Sequence, residues 1–94
     1  MIVVWSPRAA GHLARLREYI GRDDPNAAAR VAGNILISVE LLAQQPGMGR
    51  AGRVFGTREL VVAGTPFIIP YRVRNDRLEL IAVFHGRQKW SARL

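Results

Sequence analysis

Apolar and polar residues alternate through most of the second half of the chain. Three runs show this period of two, at residues 58–63, 66–74 and 77–85. Alternation bounded by turn residues is typical of half-buried antiparallel strands. The turns are Gly64-Thr65 and Asn75-Asp76; asparagine and aspartate tolerate the positive φ of a tight hairpin. The pattern therefore predicts a three-stranded meander.

The alternation also assigns faces to these strands. In the middle run one face carries Phe67, Ile69, Tyr71 and Val73, and the other carries Ile68, Pro70, Arg72 and Arg74. In the third run one face carries Leu78, Leu80, Ala82 and Phe84, and the other carries Glu79, Ile81, Val83 and His85. We expect the outward face of the sheet to present Arg72, Arg74, Glu79 and His85, or whichever set of these the strand register allows. That face must meet solvent or bind something.

The first half predicts a strand followed by two helices. The apolar run 2–5 is short enough for a strand that joins the sheet, and Ser6-Pro7 is a helix start, with serine as cap and proline in the first turn. Apolar residues then recur at helical spacing to Ile20, and Gly21 is expected to end the helix.

The second helix begins at Asp23-Asp24-Pro25 by the same chemistry and ends at residues 44–47. Its apolar positions keep helical spacing at Ala28, Val31, Ala32, Ile35, Leu36, Val39 and Leu42. Two amphipathic helices with a short connection form a hairpin. The order β-α-α-β-β-β, with a further strand allowed for, predicts an α+β fold in which the hairpin packs on a mostly antiparallel sheet. We expect residues 1–94 to form a single domain.

Charge is unevenly divided along the chain. The net charge is +7 over 94 residues, with +1 in residues 1–49 and +6 in residues 50–94. A basic half of this kind indicates an anionic partner, such as nucleic acid or an acidic protein segment, or else a basic surface with no specific ligand. Cysteine is absent, which excludes disulfides and thiolate-bound metal and fits a reducing cytoplasm. We expect no signal peptide, no segment of transmembrane length and no membrane partner.

Specific catalytic chemistry is sparse. His12 is expected on the solvent side of the first helix. His85 ends the last strand beside Gly86 and Arg87, so it is either a general acid or base among cations or a loop hydrogen-bonding residue. The two histidines and scattered carboxylates form no metal-binding pattern, and no cofactor is predicted. The glycine-rich segment 46–52 lacks the setting of a phosphate-binding loop.

Arginine is the most informative residue type. Arg50, Arg53 and Arg58 enter or border the predicted sheet, Arg72 and Arg74 share a strand face, and the chain closes with further cations. Guanidinium groups bind phosphate and carboxylate through paired hydrogen bonds. Salt bridges to the three acids of this half cannot neutralise all nine cations. Trp90 either stacks on a base or packs against the edge of the core.

Three segments of the sequence resemble toxins of the ParE/RelE superfamily of bacterial type II toxin–antitoxin modules. They are SPRA at the first helix start, PGMGRAGRVFGTREL in the central loop, and YRVRNDRLELIAVFHGRQKW in the meander. The likeness extends over essentially the whole chain. It implies one of two activities, inhibition of DNA gyrase in the ParE-like branch or ribosome-dependent cleavage of messenger RNA in the RelE-like branch. An inert remnant, or an adaptor with an antitoxin as its sole partner, is a third alternative.

The RelE-like nucleases use basic residues on the sheet without a metal, and the resemblance transfers this role to Arg58, His85 and Arg87. Ile68 stands where the nuclease pattern has arginine, Gly86 replaces a further basic position, and Trp90 replaces an aromatic hydroxyl. Since an indole cannot relay a proton as a phenol can, these departures favour the gyrase-directed branch.

The resemblance also predicts the binding surfaces. The residues expected to bind the target or nucleic acid are Arg53, Arg58, Arg72, Arg74, Arg87, Lys89 and Trp90. A cognate antitoxin, ParD-like or similar, is expected to lay a helix in the hairpin groove and an extended segment along the sheet. The groove residues are Leu13, Leu16, Ile20, Ile35 and Val39, unless all of them belong to the core. An acidic antitoxin would complement the basic half.

Overall fold

The computed structural model describes residues 1–88 and places two helices against one six-stranded sheet. The elements in chain order are β1 Ile2–Trp5, α1 Pro7–Asp23, α2 Pro25–Gln44, β2 Arg50–Ala51, β3 Arg58–Val61, β4 Phe67–Arg74, β5 Arg77–Leu80 and β6 Phe84–His85. A 3₁₀ turn, Pro46–Met48, lies between α2 and β2. The predicted α+β class is confirmed.

The sheet has the order β1-β5-β4-β3-β2, and β6 pairs with β4 beyond the end of β5. β1 runs parallel to β5, with Val3 opposite Leu78, and the remaining pairs are antiparallel. The first strand therefore joins the sheet as expected. The β4–β5 turn has φ of 53° at Asn75 and 58° at Asp76, the left-handed pair that a two-residue type I′ hairpin requires.

The helix boundaries follow the capping residues, with one correction. Ser6 Oγ accepts a hydrogen bond from the Ala9 backbone N at 3.0 Å, as predicted for the start of α1. Gly21 does not end α1, which continues to Asp23. Asp24 ends it instead: its backbone N donates to Ile20 O at 3.0 Å, while its Oδ1 accepts from Ala27 N at 3.0 Å to begin α2. One aspartate thus serves both helices, and no left-handed glycine is needed.

The core forms between the sheet and the hairpin. From the sheet it receives Leu60, Val62, Ile69, Tyr71, Leu78, Leu80 and Val83, and from the helices Ala9, Ile35, Val39 and Leu42. Their alternation on β4 and β5 places the helices on one face, as the pattern predicted. The first half of β4 is buried on both faces, because Ile68 and Pro70 are also covered.

The length of helix α2 contradicts the expectation that no segment approaches transmembrane length. Within the described residues, α2 is the one helix long and apolar enough to cross a membrane, by length and composition alone. Core helices satisfy the same criteria. α2 places Ala28, Ala32, Ile35, Val39 and Leu42 in the interior, but only 28% of its apolar window is buried, so core packing accounts for part of its apolar character.

The third predicted strand is divided into β5 and β6 by a bulge at residues 81–83. Tyr71 pairs with Leu80, whereas Ile68 pairs with Phe84, so the strand opposite β4 contains one extra residue. Pro70 explains the position. Its carbonyl accepts from Ile81 N at 2.9 Å, but it has no N–H to donate on the same side, and proline inside a sheet is found at bulges.

His12 satisfies a backbone group that the bulge leaves without a strand partner. The Val83 backbone N donates to His12 Nδ1 at 3.1 Å, and the imidazole lies 5.5 Å from the Phe84 ring, centroid to centroid. His12 is half-buried, so the expectation of a solvent-exposed residue is wrong. Burial, followed by the nearby Arg8 and Arg15, lowers the pKa of His12 below its ordinary value of 6.5.

We expect this contact to make folding sensitive to mild acid. A lowered folded-state pKa means that the folded protein disfavours imidazolium, so the stabilisation is complete above pH 6.5 and is lost as the pH falls through the lower folded value. Urea unfolding between about pH 7 and pH 5 should show this loss, in the range where histidine titrates. His12→Asn supplies a non-titrating acceptor and should flatten the profile. An equally steep profile in that variant would contradict the assignment.

Candidate target-binding surface

The outward face of the sheet, away from the helices, carries two arginine–glutamate clusters. Strand pairing places Arg50 opposite Glu59 and Arg72 opposite Glu79. Glu59, Arg72 and Glu79 alternate with core positions on β3, β4 and β5, which places both pairs on the face away from the helices. By strand spacing and rise, the clusters are roughly 10–15 Å apart.

The first cluster is built on a buried carboxylate. The Glu59 side chain is only 1% exposed; it accepts from Arg50 Nη2 at 3.1 Å and from the Arg53 backbone N at 2.8 Å, and Arg53 Nε lies 3.7 Å away. The two guanidinium-bearing side chains remain about half exposed. Glu59 thus fixes two cations at the surface with a single negative charge.

The second cluster spans β4 and β5. Glu79 Oε1 lies 2.9 Å from Arg72 Nε and 3.2 Å from Arg74 Nη2. The hydrogen bond from Arg72, with further help from Arg74, lowers the pKa of Glu79. Again two cations surround one carboxylate, so the outward face keeps a positive excess. Arg53, Arg72 and Arg74 therefore share the face predicted for target binding, and Arg50, which was not in the predicted set, joins them.

Arg58 lies on the opposite face of the sheet from these arginines. Its strand position is opposite Tyr71, on the helix side of the sheet. Its Nη1 donates to Gly49 O at 2.8 Å and to Gly47 O at 3.4 Å. In this structure the guanidinium holds the loop before β2, and it does not lie beside Arg72 and Arg74 on the outward face.

His85 is displaced from its predicted face by the bulge. It pairs with Phe67 and lies 5.7 Å from that ring, centroid to centroid, on the helix side of the sheet. The expectation that His85 shares a face with Arg72, Arg74 and Glu79 is therefore wrong. Its Nδ1 accepts from the Arg87 backbone N at 3.1 Å, so a neutral His85 carries its proton on Nε2.

The predicted nuclease residues do not converge on one pocket. His85 and Arg87 are adjacent, but Arg58 pairs with Tyr71 while His85 pairs with Phe67, four residues away along β4 and on its other side. Four residues of strand span about 13 Å. General acid–base catalysis needs groups within hydrogen-bonding reach of the same substrate atoms, and the Arg58 guanidinium is committed to the loop.

The predicted apolar groove is only partly exposed. Leu13, Leu16 and Ile20 are half-buried. Leu16 and Ile20 line a cavity of about 490 Å³ that also contacts Phe67 and His85.

Ile35 and Val39 are 0% and 5% exposed, so the expectation that they line an exposed groove is wrong; they belong to the core. The exposed large apolar side chains of α2 are Leu36, Ile37 and Leu41. Helical periodicity correctly identified Ala28, Ala32, Ile35, Val39 and Leu42 as buried, but it placed Leu36 on the same stripe, and Leu36 is exposed.

Two of the predicted target-binding residues, Lys89 and Trp90, lie outside the described residues. Arg87 is exposed and lies beside His85. Within residues 1–88 no group of three or more histidines and carboxylates is placed to hold a metal ion.

Comparison with known proteins agrees with this architecture. Residues 3–90 match the family model described as the ParE toxin of the type II toxin–antitoxin system parDE. The chain is 48% identical over 86 residues to the toxin homologue Y4kP of Sinorhizobium fredii, covering 92% of this chain and 88% of that protein. It is 36% identical over 84 residues to toxin RelE2 of Caulobacter vibrioides, covering 89% and 93%.

A solved structure shows the same fold. A chain of the chromosomal ParDE toxin–antitoxin system from P. aeruginosa superposes with a TM-score of 0.82 at 25% identity, covering 90% of this chain and 95% of that one. The sequence match, the helical hairpin and the mixed sheet lead to one conclusion: the chain belongs to the ParE toxin family of type II toxin–antitoxin systems.

Proposed function

We propose that this toxin inhibits DNA gyrase and is neutralised by a cognate antitoxin. The observation that carries the proposal is the dispersal of the cations. Arg50, Arg53, Arg72 and Arg74 spread over the outward face around two carboxylates. A distributed positive surface suits binding to a protein–DNA complex. The family model and the ParDE structure, both named for the ParE branch, support the same function.

Ribosome-dependent cleavage of messenger RNA is the second candidate. It is favoured by the similarity to toxin RelE2 and by the contact between His85 and Arg87. The separation of Arg58 from His85 and the apolar side chain at Ile68 weigh against it, because the reaction would lack a second cation beside the histidine.

The antitoxin is proposed to cover the exposed apolar positions of the hairpin. Leu36, Ile37 and Leu41 are 51%, 60% and 51% exposed. Together these side chains form an apolar patch on one helix, which a partner helix can bury. The basic sheet would attract an acidic segment of the same partner and speed association. The relation to the ParDE system supports the existence of such a partner.

The proposal is tested by adding purified toxin to a gyrase supercoiling assay. We expect wild-type toxin to block supercoiling. The double variant R72Q/R74Q should need at least about tenfold more protein, corresponding to about 1.4 kcal/mol of lost binding. Its matched control, R17Q/R30Q, removes the same charge from exposed helix positions whose arginines form no ion pair within residues 1–88.

A ribosome-programmed translation assay forms the second arm of the test. If gyrase supercoiling stayed intact and messenger RNA were cleaved in the translation assay, ribosome-dependent cleavage would replace gyrase inhibition as the function of this toxin. Equal loss in R72Q/R74Q and R17Q/R30Q would show that the outward face has no special role.

A further inference from the structure

An arginine-lined pocket lies where β1 ends and α1 begins, at the border of the outward face. Its volume is about 500 Å³, within the range of small-molecule sites. The polar walls come from Arg8, Arg72, Arg74 and Glu79, and apolar walls come from residues such as Val4 and Ile81. The pocket thus combines cations with an apolar wall.

The pocket carries more positive than negative charge. Glu79 engages Nε of Arg72 and Nη2 of Arg74. Within residues 1–88 neither Nη atom of Arg72 donates to a protein acceptor. Three arginines therefore line the pocket together with one carboxylate, and both Nη atoms of Arg72 remain available to a ligand. An anion with two negative charges would balance the site.

Arg8 occupies a position that the helix itself disfavours. It lies in the first turn of α1, which contains no acidic residue. The N-terminal end of a helix carries partial positive charge, so a cation there is unfavourable by roughly 0.3–1 kcal/mol. The Arg8 guanidinium is held over the Phe84 ring, with Cζ 5.2 Å from the centroid. A bound anion would offset the repulsion between Arg8, the helix end and the two strand arginines.

The corner that bears Arg8 is rigidly attached to the sheet. Ser6 N donates to Leu80 O at 3.1 Å, Ser6 Oγ donates to Ile81 O at 2.9 Å, and the same oxygen accepts from Ala9 N. These bonds fix the start of α1 against the end of β5. A fixed backbone at this corner removes one part of the ordering cost of binding through Arg8.

From this geometry we infer that the pocket binds the phosphate group of a nucleotide unit, with its base or sugar against the apolar wall. Arginines that line one pocket from two elements, α1 and β4, suit a phosphate with three or four acceptor oxygens, whereas a side-chain carboxylate is satisfied by one fork. The apolar wall gives a ring a surface to contact, as in nucleic-acid sites that stack bases beside a positive groove.

This inference deepens the proposed function. It rests on that function in one respect only, the identification of the bound strand as gyrase-bound DNA. Arg50 and Arg53 lie beside Glu59, farther along the same face, so a strand whose phosphate occupies the pocket would continue over them. The phosphate could come from such a strand or from a free nucleotide, and the chemistry recognised in the pocket is the same.

The test measures binding by purified toxin in the absence of gyrase. A short 5′-phosphorylated, fluorescein-labelled oligothymidylate is titrated with protein and followed by anisotropy. We expect Arg8→Gln to weaken binding about tenfold and R72Q/R74Q to weaken it more, because charge-assisted hydrogen bonds are lost. Arg8→Lys keeps the charge without the fork and should fall between wild type and Arg8→Gln. R17Q/R30Q should change binding by less than about threefold, the small screened effect of distant charges.

Competitors identify the ligand class. Displacement by thymidine 5′-monophosphate supports a free-nucleotide site, and displacement only by unlabelled oligonucleotide supports a strand site. Equal displacement by an oligoglutamate peptide of the same charge would overturn the phosphate assignment. Equal weakening by Arg8→Gln and by R17Q/R30Q would overturn the pocket, with circular dichroism confirming that each variant is folded. Gyrase inhibition is scored separately, so the two proposals fail independently.

Discussion

Replacing Tyr71 with alanine is expected to destabilise the fold by about 3–5 kcal/mol, the usual cost of deleting a buried aromatic side chain. The side chain is 0% exposed and packs in the centre of the core. Its hydroxyl accepts from Gly49 N at 2.9 Å and donates to Pro46 O at 2.7 Å, so it also joins the sheet to the loop after α2. Domains of this size are stable by only about 5–15 kcal/mol. The Tyr71→Ala variant should therefore show little of the cooperative unfolding transition in urea.

Two further tyrosine variants separate packing from hydrogen bonding. Tyr71→Phe keeps the ring but leaves the Gly49 N–H without its acceptor, at an expected cost of about 1–3 kcal/mol. Tyr19→Ala removes a tyrosine that is 74% exposed and should change stability by less than about 0.5 kcal/mol. If Tyr71→Ala unfolded at the same urea concentration as Tyr19→Ala, the central position of Tyr71 in the core would be refuted.

Local sequence chemistry predicted the helix starts and the hairpin turn well. Ser6 and Asp24 cap the two helices through the hydrogen bonds that their side chains favour. Asn75 and Asp76 adopt the positive φ that their turn demands. Each of these features depends on residues within about four positions of one another, so the sequence contains the whole cause.

Features that depend on neighbouring strands were predicted poorly. The alternation in residues 77–85 is real, yet Pro70 on the adjacent strand interrupts the pairing and shifts the register by one residue. That shift moves His85 to the other face. The role of His12 follows from the same bulge, because its acceptor nitrogen meets a backbone N–H that is 71 residues away in sequence. Sequence periodicity in a single strand gives no information about such partners.

In the candidate site, too, the features set by local sequence were predicted and those set by neighbouring elements were not. The positions of Arg72 and Arg74 followed from alternation along one strand. The contributions of Arg50 and Arg8 did not, because they depend on β2 pairing with β3 and on the start of α1 meeting the end of β5. A cation in the first turn of a helix was the available signal for Arg8, since it runs against the preference of that position.

Gly49→Ala is expected to destabilise the fold by about 2–3 kcal/mol, the upper part of the range for overpacked sites. A Cβ at Gly49 would lie 2.5 Å from the Tyr71 hydroxyl oxygen and 2.9 Å from the Glu59 carbonyl oxygen. The backbone itself would tolerate alanine, since φ is −70° and ψ is 153°. The cost therefore comes from displacing the Tyr71 hydroxyl and the start of β2, which support the first arginine cluster.

Two other glycines provide matched controls, because a Cβ at Gly47 or Gly33 would meet nothing within 4 Å. Gly47→Ala should be near neutral, although it lies two residues from Gly49. Gly33→Ala, within α2, should raise the free energy of unfolding by about 0.5–1 kcal/mol through reduced backbone entropy in the unfolded chain. In the Tyr71→Phe background Gly49→Ala should cost less but not nothing, since the ring and the Glu59 carbonyl remain. Equal effects at Gly49 and Gly47 in urea unfolding would show that the junction between Tyr71 and the loop is not closely packed.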